Sequence, residues 1–260
     1  MLVDKIEKIY ESNRELDYTQ INKEYIYSVS KIVEQFKEPF DAVRQAERCS
    51  CKYKNDPNSR YYGMEPWDII EMWNNKREHA IKIGKSLDSF IGSILESRNE
   101  ITDKLYSEEK DDAILTRFNT FRHVYDNEFK KNNFEYLCRE LTLFDPVHKW
   151  KGRFDALFCK DNSVILIDWK SNDEISTENS FTNLKGPLYK YDASDLNSYT
   201  IQLYLYKYAL EKYYGFENVK TLLCRIGQNT YQFLAPKIPY SVELVESIIK
   251  YAINEINTKK

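Results

Sequence analysis

The apolar positions of this chain change their period near the middle. From Pro66 to Arg98, Trp67, Ile70, Trp73, Ala80, Ile83, Leu87, Ile91 and Leu95 recur at helical spacing, which predicts one long helix with Pro66 as its first residue. A second helix is expected from Glu108 to Lys130 through Ile114, Phe118, Phe121 and Tyr125. Residues 1–20 read as a polar, helical lead-in. The run YSVSKIVEQFKEPF at 27–40 opens on a pair of serines suited to capping and predicts a short helix that Pro39 stops. Residues 52–65 read as a loop, and the first half as mostly α.

After Asn133 the period drops to two. Phe134–Phe144, Trp150–Phe158 and Val164–Asp168 read as strands, the last two joined as a hairpin through Lys160–Ser163. A loop over Asn172–Leu196 precedes a helix from Tyr199 to Tyr214, ended by Gly215. Two more strands, Val219–Ile226 and Tyr231–Leu234, flank Gly227-Gln228-Asn229, and Tyr240–Asn257 reads as a final helix. This order predicts an α/β (α+β) fold: a central mixed β-sheet flanked by helices, with an N-terminal helical lobe. The expected division is 1–132 for the lobe and 133–260 for the core, packed as one integrated domain.

Composition narrows the picture without deciding it. With 260 residues and 42% hydrophobic content there is material for one sizeable core. A net charge of -3 excludes a basic nucleic-acid coat, yet 38 Lys and Arg residues suffice for a locally basic groove. The five cysteines, Cys49, Cys51, Cys138, Cys159 and Cys224, are odd in number and lack paired spacing. That argues for a reducing compartment and against a structural zinc or iron–sulfur site. No apolar run approaches the roughly 20 residues of a membrane span, so no membrane partner is expected. The start, MLVDKIEKIYESNRE, is charged throughout and has no signal-peptide apolar region. A cytoplasmic location, or a host cell interior, is expected.

The candidate chemistry lies within residues 140–206. Gly152-Arg153-Phe154-Asp155 places an acid in a strand. Ile165-Leu166-Ile167-Asp168-Trp169-Lys170 is an apolar strand ending in Asp-x-Lys, and Gln202 and Tyr206 stand four apart on the following helix. Strand side chains alternate, so Asp168 and Lys170 share a face. Asp155, across the hairpin, can bring a second carboxylate beside Asp168. Two carboxylates in one site repel unless a cation neutralises them, and hard divalent ions take oxygen ligands. Lys170 could orient or help deprotonate an attacking water. Alone, Asp-x-Lys at a strand end is a common surface pattern, Gln202 reads as a solvated side chain and Tyr206 as a half-buried one. The conjunction is what carries information.

The segments GRFDALF, VILIDWKSN and YTIQLYLYKYALE resemble the core of RecB-like members of the PD-(D/E)XK nuclease superfamily, especially exonucleases of phages and large DNA viruses. The family pattern, G-x-x-D, then D-x-K-(T/S), then Q-x-x-x-Y, is matched at Gly152, Asp155, Asp168, Lys170, Ser171, Gln202 and Tyr206. Glu140 in CRELTLF stands where the family has a Glu on the preceding strand. The likeness spans about residues 25–235, with its specificity concentrated in 140–206.

The resemblance implies a restriction-endonuclease-like core and a Mg²⁺ or Mn²⁺ cofactor held by Asp155, Asp168 and the Trp169 carbonyl. It further implies Lys170 as the catalytic lysine, with Glu140 close behind, and Gln202 and Tyr206 holding the DNA backbone or the site geometry. Ser171, Arg153, Lys151 and Lys85 join the expected DNA contacts. One position departs: relatives carry G-T-x-x-H on the long helix, and here Gly84-Lys85-Ser86-Leu87-Asp88 puts Asp88 at the His position. If Asp88 faces the metal, three carboxylates surround one ion, and Asp88→Asn should then stabilise the metal-free protein.

Lys76, Arg77, Lys82 and Lys85 on the long helix read as a solvated face that could also meet phosphates. Trp67 and Trp73 read as core residues rather than base-stacking ones. His148-Lys149-Trp150-Lys151-Gly152-Arg153 is a basic-aromatic cluster with a better claim to DNA contact. The leading expectation is a DNA exonuclease for replication, recombination or repair, of viral kind, taking single- or double-stranded DNA at its ends. It leaves room for a recombination or replication protein as partner. The alternatives are a structure-specific or nicking endonuclease with the same site, and a DNA-binding scaffold with a degenerate nuclease fold.

Overall fold

The computed structural model describes residues 2–13, 20–21 and 24–259. The chain begins with α1 (Leu2–Asn13), β1 (Gln20–Ile21), β2 (Glu24–Tyr25), β3 (Tyr27–Ser28), α2 (Val29–Glu34) and α3 (Ala42–Tyr53). Then come α4 (Pro66–Leu95), α5 (Asn99–Glu108) and α6 (Asp112–Val124), which runs into a π turn at Tyr125–Phe129. The second half holds β4 (Glu135–Arg139), β5 (Thr142–Asp145), β6 (Trp150–Arg153), β7 (Ala156–Lys160), β8 (Ser163–Lys170), α7 (Asp195–Lys212), β9 (Val219–Ile226), β10 (Tyr231–Leu234) and α8 (Val242–Thr258). The fold is α+β with mixed sheets and a helical N-terminal region.

The run SVILIDWK becomes β8, in the middle of a five-stranded sheet ordered β10-β9-β8-β7-β4. β8 pairs in parallel with β9, across α7, and antiparallel with β7. Val164 and Leu166 pack into one cluster with α7, α8 and α2. Ile165, Ile167 and Trp169 pack into another with α4 and α6. A strand covered on both faces reads as an unbroken apolar run, which is why Val164–Ile167 shows no alternation. Each fully buried Ile or Leu there is worth about 1.5–3 kcal/mol relative to exposure.

The two segments expected as single strands each cross between sheets. β4 and β7 pair in the five-stranded sheet, whereas β5 and β6 pair in a three-stranded sheet with β3. The pairing offset is unchanged through the crossing, Arg139 opposite Ala156 and Thr142 opposite Arg153. The ribbon therefore bends as a unit at Glu140-Leu141 and Phe154-Asp155. Glu140 takes a left-handed φ of 49°, and its N–H donates to the Asp155 carbonyl at 3.2 Å. Asp155 thus stands at the corner, not in a strand as its alternating surroundings had implied.

Other boundaries moved for local reasons. The lead-in forms a helix only over α1, with 14–19 outside the described residues. Ser28 caps α2 by accepting from the Lys31 N–H, but the helix ends at Glu34, ahead of Pro39, where three-residue turns seat the fully buried Phe36. Asp41 caps α3, a helix that extends into the start of the expected 52–65 loop. α4 starts at Pro66 as expected and stops at Leu95. α5 fills the gap to α6, which begins after the Asp111 cap rather than at Glu108. Trp67, expected in the core, is 72% exposed. Every residue from Asn74 to Lys82 is exposed, so the apolar stripe of α4 leaves the core in mid-helix. Among the described residues no helix is long and apolar enough to cross a membrane.

Gly152 is the tightest point of the ribbon. A Cβ there would stand 2.5 Å from Val29 Cγ2 and 2.6 Å from Tyr206 Cε1. Both neighbours are buried, and Val29 is stiff at χ1. Gly152→Ala is expected to lower stability by about 1–3 kcal/mol, as for other overpacked positions. A denaturant melt in which the variant matches the parent would show that the corner yields freely.

Candidate active site

Three chain segments meet at the ribbon corner. β8 ends there with Asp168 and Lys170, the corner supplies Glu140, Arg153 and Asp155, and the second half of α4 passes alongside. Together they enclose a cavity of 360 Å³. Lys85, Asp88, Glu140, Arg153, Asp155, Trp169, Lys170 and Ser171 line it. Asp168 sits behind that lining, 2% exposed.

The electrostatics centre on the two aspartates. Lys170 Nζ stands 2.7 Å from Asp168 Oδ2, while Asp168 Oδ1 has no partner. A buried carboxylate with one oxygen unpartnered is costly unless a further donor or cation shares it. Asp155 Oδ2 accepts the Trp169 backbone N–H at 2.7 Å, which ties the corner to the end of β8. Burial and then the Asp168 charge push the Asp155 carboxyl well above the usual carboxylate range, against the opposing pull of Lys170 and the Trp169 N–H. Burial pulls Lys170 down, but the charges of Asp168 and Asp155 outweigh it and hold the ammonium protonated. The Lys170 head also lies 4.5 Å over the Tyr199 ring.

Asp88 and Glu140 are engaged elsewhere. Arg139, missed in the sequence though adjacent to Glu140, lies over Gly92 of α4. It pairs with Asp88 Oδ1 at 2.9 Å and Glu140 Oε2 at 3.6 Å. Arg153 reaches Glu140 Oε1 at 3.6 Å. Among the described residues no three His, Cys, Asp or Glu side chains come together as a metal cage. The fit to a hard cation therefore rests on Asp168, whose Oδ1 has no partner, and on Asp155. Two carboxylates, with water and phosphate oxygens completing the shell, is a donor set that suits Mg²⁺.

The remaining sequence candidates separate. Tyr206 is buried, and its hydroxyl donates to the Arg153 carbonyl at 2.9 Å, while Gln202 Nε2 donates to that hydroxyl at 3.4 Å. Both brace the corner, and neither lines the cavity. Lys151 lies on β6 outside the cavity. Trp150 is fully buried and His148 pairs with the buried Asp145, so that basic-aromatic cluster offers neither ring to a base. Arg117, also missed, is 1% exposed and donates to the Ser171 carbonyl and to Asp173, fastening the chain as it leaves β8. Its signal was legible, since a charge stood within the apolar stripe Ile114–Phe118–Phe121.

No family model matches this chain, and no curated protein does. Among solved structures, SSO0001 aligns over 99% of this chain and 87% of its own, at 14% identity and a TM-score of 0.37. A protein described as "putative exonuclease" from Eubacterium rectale aligns over 96% and 81%, at 12% identity and a TM-score of 0.45.

The Arg139 pairing reverses the sign expected for Asp88. Asp88→Asn removes the nearest partner of a guanidinium whose side chain is only 12% exposed, while the Asp88 side chain itself is half-exposed. The metal-free protein should lose up to about 1 kcal/mol, the range of partly solvated pairs. A thermal melt in chelator that shows a clear gain would instead mean that carboxylate repulsion dominates.

Proposed function

We propose that this chain is a metal-dependent nuclease that hydrolyses DNA phosphodiester bonds, acting as an exonuclease. The observation that carries the reading is the buried Asp168 carboxylate, met by Lys170 at Oδ2 and by nothing at Oδ1, close to Asp155 just behind the wall of an open cavity. Buried polar groups are ordinarily paired, and one left unpaired at a cavity invites a ligand. The likeness of GRFDALF and VILIDWKSN to RecB-like exonucleases supports DNA as substrate and attack at ends.

Asp155 and Asp168 would hold Mg²⁺ or Mn²⁺, with the Trp169 carbonyl as a further donor. When bound, the ion lowers the pKa of its water and withdraws charge from the phosphate. Lys170, 2.7 Å from Asp168, is placed to steady the charge developing on the phosphoryl oxygens and to orient the attacking water. Arg153, Lys85, Lys151 and Ser171 bind the flanking phosphates. Tyr206 and Gln202 keep the corner, and so Asp155, at its place.

Asp168→Ala and Lys170→Ala should each lower the cleavage rate by at least about 100-fold, the usual cost of losing one electrostatic element. Linear, closed circular and single-stranded DNA, each with Mg²⁺ and Mn²⁺, form the assay. Degradation confined to molecules with ends supports an exonuclease, and cleavage of closed circles an endonuclease. Near-parent activity in either variant would remove the site. Binding without any cleavage by the parent would leave a degenerate scaffold.

A further inference from the structure

A second cleft lies on the arm formed by α3, the loop at 54–65 and the first half of α4. Its space is 610 Å³. Three aromatic rings shape it: Tyr61, buried, forms the floor, Trp73 meets Tyr61 nearly edge-on at 6.3 Å, and Phe40 tilts against Trp73 at 5.7 Å. Among the described residues three cations, Arg60, Lys76 and Arg77, line the same cleft, and no acidic side chain does. Phe40 is 71% exposed, a large ring with no core to join. Val43, Tyr62, Trp67 and Ile81 add to the exposed apolar surface of this arm. A cleft with aromatic walls and a cationic rim suits a group with a flat π face and a negative charge beside it. A nucleotide within a single strand has both.

The position of the cleft along α4 strengthens that assignment. Ile70, Trp73, Asn74, Arg77 and Ala80 line the arm cleft, and Gly84, Lys85, Asp88 and Ile91 of the same helix line the catalytic cavity. Apart from the adjacent pairs Trp73-Asn74 and Gly84-Lys85, these positions follow one another at three- and four-residue steps, so both sites open along one side of one helix. Arg77 and Asp88 are eleven residues apart, about 16 Å at the helical rise. That is about five stacked nucleotides at 3.4 Å each, fewer if the strand is extended.

We propose that the arm cleft is a base-binding subsite, in which Phe40 and Trp73 stack on a base of single-stranded DNA while Lys76 and Arg77 meet its phosphates, several nucleotides from the scissile bond. This rests on the nuclease reading for its substrate, but its test does not need cleavage. The first measurement is anisotropy of a fluorescein-labelled oligothymidylate of about 12 nucleotides with the full chain in chelator. Phe40→Ala and Arg77→Ala should each weaken binding roughly 5- to 100-fold, the range for loss of a base stack. Both side chains project from the arm, and an unchanged melting temperature would show that the fold is intact. Trp67→Ala, which removes an equally exposed ring outside the cleft, should leave affinity unchanged.

The second measurement compares substrate lengths with metal present. A two-nucleotide substrate cannot span 16 Å, so the parent and Phe40→Ala should cleave it equally, while long strands separate them. Two results overturn the subsite: affinity within twofold of the parent for both cleft variants, or an equal loss in Trp67→Ala. If the parent cleaves nothing but the binding losses appear, the nuclease reading fails and the subsite stands.

Discussion

Two paired strands that pass together from one sheet into another must break their ladder at the same level. In this chain the break falls between Arg139 and Thr142 on one strand and between Arg153 and Ala156 on the other. The single bond from the Glu140 N–H to the Asp155 carbonyl keeps the pair in register across it. The Asp155 carboxylate then accepts the Trp169 N–H, so the corner is fastened to the end of the central strand. From the other side, Tyr206 holds the Arg153 carbonyl and Gly152 admits the Tyr206 ring. The cavity, its acids and its lysine all depend on this corner keeping its angle.

The charge placed there is unfavourable for folding taken alone. Asp168 is nearly inaccessible and has Lys170 at one oxygen and nothing at the other, and Asp155 is pushed toward its neutral form. Moving a carboxylate out of water costs several kcal/mol even after relaxation, and Lys170 offsets only part of that. The surrounding sheet can bear the cost because it is buried on both faces, with α4 and α6 on one side and α7 and α8 on the other. Strain and unmet polarity of this kind persist where the fold around them is over-determined. Arg139 and Arg117 are part of that support, the first holding Asp88 and Glu140, the second the chain beyond Lys170.

What could be read from the sequence divides along physical lines. The strand Val164–Asp168, the hairpin turn after Lys160, the Pro66 start of α4 and the Gly215 stop depend on local patterns, and they lay in plain view. The junction at residues 140 and 155 did not, because alternation is the same on either side of a ribbon that bends without changing register. Glu140 and Asp155 could be picked out as acids, but their place at a corner comes from long-range sheet assignment. α3 and α5 escaped for another reason: their buried faces carry few large apolar residues, so their periodicity is weak. Arg139 was hidden by the opposite effect, since a cation beside Glu140 reads as solvent-exposed until Gly92 is seen to leave room for it.

The long helix shows how far an apolar stripe can be trusted. Ile70 and Trp73 pack under the arm, and Ile83, Leu87 and Ile91 pack under the sheet, so the spacing is genuine at both ends. Between them, Asn74 to Lys82 touch no core at all, and yet the helix continues without a break. A stretch of that kind is held by the packing at its two ends rather than by burial of its own. Pro66 and the Glu65–Asp68 capping box close its first turn, and the packing of Ile83, Leu87 and Ile91 on the sheet anchors its second half. The exposed middle therefore acts as a spacer of set length. It fixes the distance between the aromatic arm and the acids of the corner, and by helical geometry it fixes their relative rotation as well. Inserting or deleting one residue there would turn the arm by about 100° relative to the cavity while scarcely changing their separation.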